Sequence, residues 1–320
     1  MKKTKAQFEF EELNLVKLAQ EFSDEDKARE LFESMRWPDG PVCPHCKNKG
    51  EKPLSKLEAQ PHSKRPVRKG VYFCGACRQQ FSVTVGTAFE GSHIPISKWL
   101  MAIHIICAAK KSISSNQLHR MLGVTYKTAW FMTHRIRFAM TPNHWAEPKL
   151  TGTVEVDETF VGGKGEKETK HLRQTPVVAL IERGGKARVK VVASVTQHNL
   201  GKALHECVDR SAVVNTDEHL AYKEPLKMWK AHHSVNHTKE EYQRVNPDGS
   251  IATTNSAESF FSLLKRGVYG SWHHVSREHL HRYANEFAFR WSHRKVTDGE
   301  RMAALIPMIA DKRLTYRTCV

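Results

Sequence analysis

The apolar positions of this chain change their spacing several times, and each change marks an element. FEFEELNLVKLAQEF places Phe10, Leu13, Val16, Leu18 and Phe22 at roughly helical intervals, so residues 8–36 read as helical. Ser23 followed by Asp26 resembles a cap for a second helix, DEDKARELFESM, and Trp37-Pro38-Asp39-Gly40 is a turn that ends it. Residues 41–90 are punctuated by Cys, Gly and Pro, with short strand-like runs such as VYFC and QQFSVTVGT. Residues 97–140 return to helical spacing, and TPNHWAEPKLTG (141–152) reads as a linker. From 153 onward the alternation is that of strands. TVEVDETF is the first, and PVVALIERGGKARVKVVASV supplies two more joined at Gly184-Gly185, a natural hairpin. The helix LGKALHECV, the strand SAVVNTD and the shorter strand HHSVNH follow. Two long helices, about 255–266 and 276–295, come last.

This pattern predicts an N-terminal helical segment (1–40), a cysteine-bearing module (41–96), a helical region (97–140), the linker (141–152), an α/β domain (153–300) and a C-terminal tail (301–320). No internal repeat or low-complexity tract interrupts it. Three strands, a helix, a strand, more helix, a strand and then helices is the element order of the RNase H fold. The expected fold class is therefore α/β: an RNase H-like mixed-sheet catalytic domain preceded by a zinc ribbon and a helix-turn-helix.

The zinc ribbon rests on Cys43-Pro44-His45-Cys46 and Cys74-Gly75-Ala76-Cys77. Each Cys-x-x-Cys lets two thiolates face one metal from a tight turn, and two pairs complete the four-sulfur site that structural zinc prefers. A redox dithiol needs one such pair, not two, and His45 reads as a knuckle residue. The Lys/Pro-rich spacer between the pairs suits a loop. Cys107, Cys207 and Cys319 read as inert thiols, and an odd count of seven cysteines argues against a disulfide framework.

The helical region carries ISSNQLHRMLGVTYKTAWFMTHRIRF (113–138). Leu118 and Met121 would point inward from a first helix. Leu122-Gly123-Val124 makes the turn, with Gly123 free to adopt a left-handed conformation. Thr125 would cap a second helix with Ala129, Met132 and Ile136 inward. Its exposed face would offer Tyr126, Lys127, Thr128, His134, Arg135 and Arg137, which suits a recognition helix in a DNA major groove. An ordinary helical hairpin is the alternative.

In the α/β domain, Asp157 falls on the first strand, Asp217 at the end of the fourth and Glu258 on a later helix. Two Mg²⁺ ions (or Mn²⁺) held by such carboxylates can activate a water or a 3′-hydroxyl and neutralise charge on a phosphodiester. Carboxylates clustered without a cation would repel and raise each other's pKa values. At about 100° per residue, Asn255, Glu258, Ser262 and Lys265 share one stripe of their helix, and Ala257, Phe260, Phe261 and Leu264 the opposite one. Lys265 and Arg266 would then lie within reach of a DNA phosphate. Each acid also has a structural alternative. Asn255 and Glu258 could form a helix cap with its partner three residues on, Asp217 and Glu218 could make a turn, and Glu155 or Glu158 could be mistaken for Asp157.

Composition adds the partner. The 320 residues carry 50 Lys+Arg against 34 Asp+Glu, a net charge of +16. That surplus points to a polyanion without separating DNA from RNA or anionic lipid. No apolar run approaches the ~18 residues of a membrane span, and the N-terminus lacks the apolar stretch of a secretory signal, so a cytoplasmic, nucleoid-associated protein is expected.

Longer stretches carry a resemblance. CPHC, CGACRQQFSVTVGTAFEGSHIPISKWL, VEVDETFVGGK, VNTDEHLAY, NSAESFFSLLKRGVYGSWHHVS and HLHRYANEFAFRWSHR resemble bacterial insertion-sequence transposases of the DDE type, in the ISXO-type group that carries an N-terminal zinc ribbon. The resemblance implies an RNase H-like core acting with Mg²⁺ on double-stranded DNA, at the element's terminal inverted repeats and a target, as a homo-oligomer on DNA. It implies first-acid status for Asp157 and second-acid status for Asp217. Members of the group carry Asn or Glu at the third position with a basic residue on the same helix, so both Asn255 and Glu258 qualify; a carboxylate is the better Mg²⁺ ligand. The stretch around Glu286, Arg290 and Arg294 is another shared feature, for DNA contact or bracing, and His237 is a candidate neighbour of the site. A non-enzymatic DNA-binding regulator and a nuclease on the same fold are the competing expectations.

Overall fold

The computed structural model describes residues 10–58, 69–143, 147–163 and 174–315. Phe8 of the first predicted helix, Cys319 and the middle of the spacer between the cysteine pairs lie outside them. The chain divides into two compact units, one formed by residues 1–140 with 295–320 and the other by residues 141–294.

The first unit opens with α1 (Leu15–Phe22) and α2 (Glu25–Arg36). The cap of α2 is Asp24, not Ser23: its carboxylate accepts from the Asp26 and Lys27 amides at 2.9 Å. A three-stranded antiparallel sheet follows, of β1 (Leu54–Lys56), β2 (Val71–Cys74) and β3 (Gln80–Ser82). Then come α3 (Ile96–Ala108), α4 (Ser115–Leu122) and α5 (Tyr126–Ala139). Phe32, Phe89 and Trp99 stack in the core, with ring centroids 5.6 and 4.1 Å apart.

Between α4 and α5, Gly123 takes the left-handed conformation at φ 59°, and the Thr125 hydroxyl accepts from the Thr128 amide. Leu118, Leu122, Ala129, Met132 and Ile136 are buried, but Met121, expected inward, is 49% exposed. Leu122 takes the inward place because it follows Leu118 by one full turn.

The C-terminal residues are more than a tail. VTDGERMAALIPM forms a helix, Asp298–Met308, with a complete capping box between Thr297 and Glu300. This helix packs against α2 and α3, and Ala310 bridges to Thr87. A side chain at Gly299 would meet the Phe10 carbonyl oxygen at 1.9 Å, so the close approach requires glycine.

The second unit holds a five-stranded mixed sheet, with strands β4 (Thr153–Gly162), β5 (Gln174–Glu182), β6 (Ala187–Val191), β7 (Val213–Thr216) and β8 (Ala231–Ser234). Their order is β6-β5-β4-β7-β8; β4, β5 and β6 pair antiparallel, while β7 runs parallel to β4 and β8 parallel to β7. Alternation along β4 decides what each face buries. Val154 and Val156 join Val178, Leu180 and residues of α6 (Gln197–Cys207) on one face. Val161, Val177, Ala179 and Ile181 pack on the other against α7 (Asn255–Gly267) and α8 (Leu280–Ser292). Strand β5 is apolar on both faces, as a covered central strand must be. A hairpin of β9 (Gln243–Val245) and β10 (Ile251–Thr253) precedes α7.

Candidate active site

Parallel pairing of β4 with β7 explains how two of the predicted acids meet. Glu155 is in register with Asn215, so two residues further on Asp157 and Asp217 emerge at the same level. The third acid comes from α7, whose apolar stripe is as the sequence predicts. Ala257, Phe260, Phe261 and Leu264 are buried against the sheet. Glu258, Ser262, Lys265 and Arg266 line a groove together with Asp157, Glu158, Thr159 and Phe261. Asn255 is exposed at the helix start and does not line this groove.

The alternative role for Asn255 and Glu258, a self-contained cap, is not realised. The cap residue is Thr254, whose side chain makes no capping bond. The sheet satisfies the helix end instead: buried Glu155 accepts from the Ser256 amide at 2.7 Å and from Arg183 Nε at 3.1 Å. A carboxylate at a helix N-terminus is favourable. Glu155 therefore fixes α7 in place, which leaves Glu258 on the groove side.

The electrostatics of Asp157 register the neighbouring acids. The Asp157 carboxyl is pushed up to about 7, first by burial and then by the carboxylates of Glu158, Asp217 and Glu258, against the opposing pull of the Glu158 N–H. That amide donates to Asp157 Oδ1 at 2.7 Å. Glu158 is the group that sequence reasoning weighed only as a rival to Asp157. It lines the same groove, and its carboxylate accepts from the hydroxyl of buried Tyr222. Burial, chiefly, raises its pKa. Tyr222 went unnoticed because a tyrosine five residues beyond Asp217 carries no signal until the fold brings it under β4. His237, the other candidate neighbour, sits with Nε2 3.1 Å from Thr254 Oγ1 and 3.7 Å from Glu258 Oε1, and its backbone amide donates to Glu218.

The donor set fits a hard divalent cation. Asp157, Glu158 and Glu258 line one groove; burial is the main cause of the raised Asp157 pKa, and the charges of Glu158, Asp217 and Glu258 add to it, a field that a cation would relieve. Among the described residues the four cysteines are the group whose ligand atoms all lie within 4.8 Å of one another. The acids are more open, as suits an ion that keeps waters and substrate phosphates in its shell.

The cysteine centre is closed. Cys43–Cys77 and Cys46–Cys74 sulfurs are 3.6 Å apart. Zn–S bonds of ~2.3 Å in a tetrahedron set sulfurs about 3.8 Å apart, so the cluster fits structural zinc. Both knuckles turn alike: Lys47 N–H donates to the Cys43 carbonyl and Arg78 N–H to that of Cys74, each at positive φ. Asn48 Nδ2 donates to Cys74 Sγ at 3.6 Å, a hydrogen bond that steadies a thiolate ligand.

Several predicted DNA contacts are relocated. Tyr126 and Lys127 are exposed at the start of α5 and Thr128 is half-buried. His134, Arg135 and Arg137, expected on the exposed face, are buried. Arg135 donates to the carbonyls of Leu314 and Glu90, and Arg137 to that of Ile113. Half of α5 is thus enclosed by segments distant in sequence, which a helical wheel cannot register. Arg290 is also buried, paired at 2.6 Å with fully buried Glu286, so it braces α8 and does not present its charge outward. Arg294 is exposed, stacks on Trp291 and donates to the Gly185 carbonyl.

Known families match both halves of this picture. A transposase zinc-ribbon domain matches residues 23–80, and an ISXO2-like transposase domain matches residues 149–292. The chain thus carries a match to an ISXO2-like transposase domain behind a match to a transposase zinc ribbon. The ISXO2-like match spans β4 through α8 and so contains all three acids. A relative described as an uncharacterized protein in transposable element ISH50, from Halobacterium salinarum, is 29% identical over 290 residues, covering 84% of this chain and 91% of the relative. An ISXO2-like transposase domain implies a DNA-binding enzyme that cleaves and transfers DNA. No helix among the described residues is long and apolar enough to cross a membrane.

Proposed function

We propose that this chain is an insertion-sequence transposase that binds its element's terminal inverted repeats and catalyses DNA strand cleavage and strand transfer on an RNase H-like domain. The observation that carries the reading is the Asp157 carboxyl, raised to about 7 in a groove shared with Glu158, Glu258 and Lys265. Burial is the larger cause of that shift and the surrounding carboxylates add to it, a combination that a bound cation would relieve and that is common at catalytic sites. The strand order β6-β5-β4-β7-β8, with Asp157 on β4 and Asp217 directly after adjacent β7, supports the RNase H-like assignment.

Asp157, Asp217 and Glu258 are the residues that would hold Mg²⁺ or Mn²⁺. When bound, such ions activate the attacking oxygen and neutralise charge on the phosphate. Lys265 and Arg266, on the same groove, bind the DNA backbone and hold the strand in line with the acids. Asn255 is left outside the ligand set. The α4–Gly123–α5 segment acts as a helix-turn-helix, with Tyr126, Lys127 and Thr128 entering the major groove and the buried arginines as its scaffold. Transposition requires two element ends to be brought together, which a homo-oligomer on DNA accomplishes.

Asp157→Ala tests the reading on DNA carrying the inverted repeats that flank the gene. Cleavage and joining of the 3′ end to a second DNA are expected to vanish while end binding persists. Cleavage at the wild-type rate would refute the catalytic assignment, and cleavage without joining by the wild-type chain would make it a nuclease.

A further inference from the structure

The catalytic reading leaves the β9–β10 hairpin without a task. Tyr242, Val245 and Ile251 are 57%, 67% and 45% exposed. Scattered exposed apolar residues are ordinary, but these three are grouped on one hairpin, where Val245 and Ile251 are direct cross-strand partners. The hairpin is fastened at its base. The Ile251 carbonyl accepts from Arg183 Nη1 at 2.9 Å and Asn215 Nδ2 at 3.3 Å, and neighbouring Ala252 is fully buried. Its loop is closed too, by the Asn246 amide on the Ser250 carbonyl at 2.8 Å and the Asn246 side chain on Ser250 Oγ at 2.9 Å. The apolar side chains are therefore held out into water by a built backbone.

Position says what they meet. The His237 ring lies 5.7 Å from that of Tyr242, and its Nε2 is 3.7 Å from Glu258 Oε1. Tyr242 is thus one side chain removed from the third acid. Exposed Lys239, Glu240 and Arg244 flank it, while the nearby Glu241 carboxylate is turned inward onto the Asn236 amide. An aromatic ring bordered by cations next to a phosphodiester-cleaving groove matches a nucleic-acid base, whose π-face stacks while its phosphate is neutralised.

We propose that the β9–β10 hairpin, with Tyr242 at its root, is a platform on which an unstacked DNA base packs beside the scissile phosphate. This rests on the catalytic reading. Holding one base out of the helix separates the strand to be cut from its complement and fixes its path past Glu258.

Two probes test it with the full-length, zinc-loaded chain: a blunt DNA duplex, and the same duplex with a short single-stranded extension carrying 2-aminopurine at the junction. Wild-type protein is expected to prefer the extended duplex and to quench the 2-aminopurine. Tyr242→Ala should lose roughly 5- to 150-fold in affinity for the extended duplex alone, the range for one stacked base. Tyr242→Phe should keep both preference and quenching, and matching thermal unfolding of the two variants establishes that the fold is intact. Equal loss on both duplexes, or no loss on either, overturns the platform while leaving the acids untouched. A changed oligomeric state in Tyr242→Ala at unaltered DNA affinity overturns it in favour of a chain–chain interface. If wild-type protein binds neither duplex, the DNA reading itself fails with it.

Discussion

Asp157→Asn isolates the electrostatic argument from the rest of the site. Asparagine keeps the shape, and its oxygen can accept the Glu158 N–H that Asp157 Oδ1 now accepts at 2.7 Å. What it removes is a charge in a buried, acid-lined groove. In the folded chain the Asp157 carboxyl titrates near 7, against 3.8 ordinarily. About three units at ~1.36 kcal/mol each amount to roughly 4 kcal/mol that the ionised form withholds from folding at pH 8. The sign follows from proton counts. Between about pH 4 and 7 the folded state keeps a proton that the unfolded state has released, so stability falls as pH rises and levels off above 7. The variant lacks this contribution and keeps that of Glu158, whose pKa burial also raises. If half of the penalty is recovered, the gain of about 2 kcal/mol raises Tm of the 141–294 unit by roughly 4–8 °C at pH 8. The assay is scanning calorimetry at pH 5 and pH 8 on zinc-replete protein dialysed free of other divalent ions, followed by Mg²⁺ addition. Mg²⁺ should stabilise the wild-type chain at pH 8 and the variant much less. A wild-type unit whose stability is flat from pH 5 to 8, or a variant less stable than wild type at pH 8, would refute the account of the groove.

Two further outcomes follow from the first unit. Metal analysis should find one zinc per chain, and Cys43→Ser or strong chelation should unfold the first unit while the far-ultraviolet signature of the mixed sheet persists; a metal-free chain with an intact first unit would contradict this. Lys127→Ala should weaken DNA binding uniformly across sequences, lower the salt slope by about one and leave Tm unchanged, whereas Arg137→Ala should lower Tm by removing a fully buried side chain. An Arg137 variant with wild-type Tm would return that arginine to the DNA-facing list.

The parts legible in the sequence are those fixed by local period. The α7 stripe, the caps at Gly123 and Thr125 and the cysteine knuckles each depend on residues a few positions apart, so their geometry follows from spacing. Met121 and Leu122 show where this begins to fail, because neighbouring apolar residues at a helix end differ only by what lies opposite them. Arg135, Arg137 and Arg290 show where it breaks down. A charged side chain is expected outside, and only carbonyls contributed from elsewhere in the chain, or a buried glutamate, reveal these as internal. Glu155 and Glu158 were visible but unassignable, since the strand's alternation sends them to opposite faces and the sequence does not say which face is the reacting one. The final helix was missed although Thr297 and Glu300 spell out its cap.

That final helix also sets an order of events during synthesis. The first unit comprises residues 1–140 and 295–320, so the catalytic unit is an insertion within it. At roughly 5–20 residues per second, the ribosome spends about 8–30 s on the intervening stretch. Throughout that interval the catalytic unit can fold as it emerges, while the zinc-bearing unit waits for its last helix. A chain stopped before residue 295 would carry a complete acidic groove and an unfinished zinc-bearing unit. Completion of the zinc-bearing unit is thus the last folding event, and it waits on the final residues of the chain.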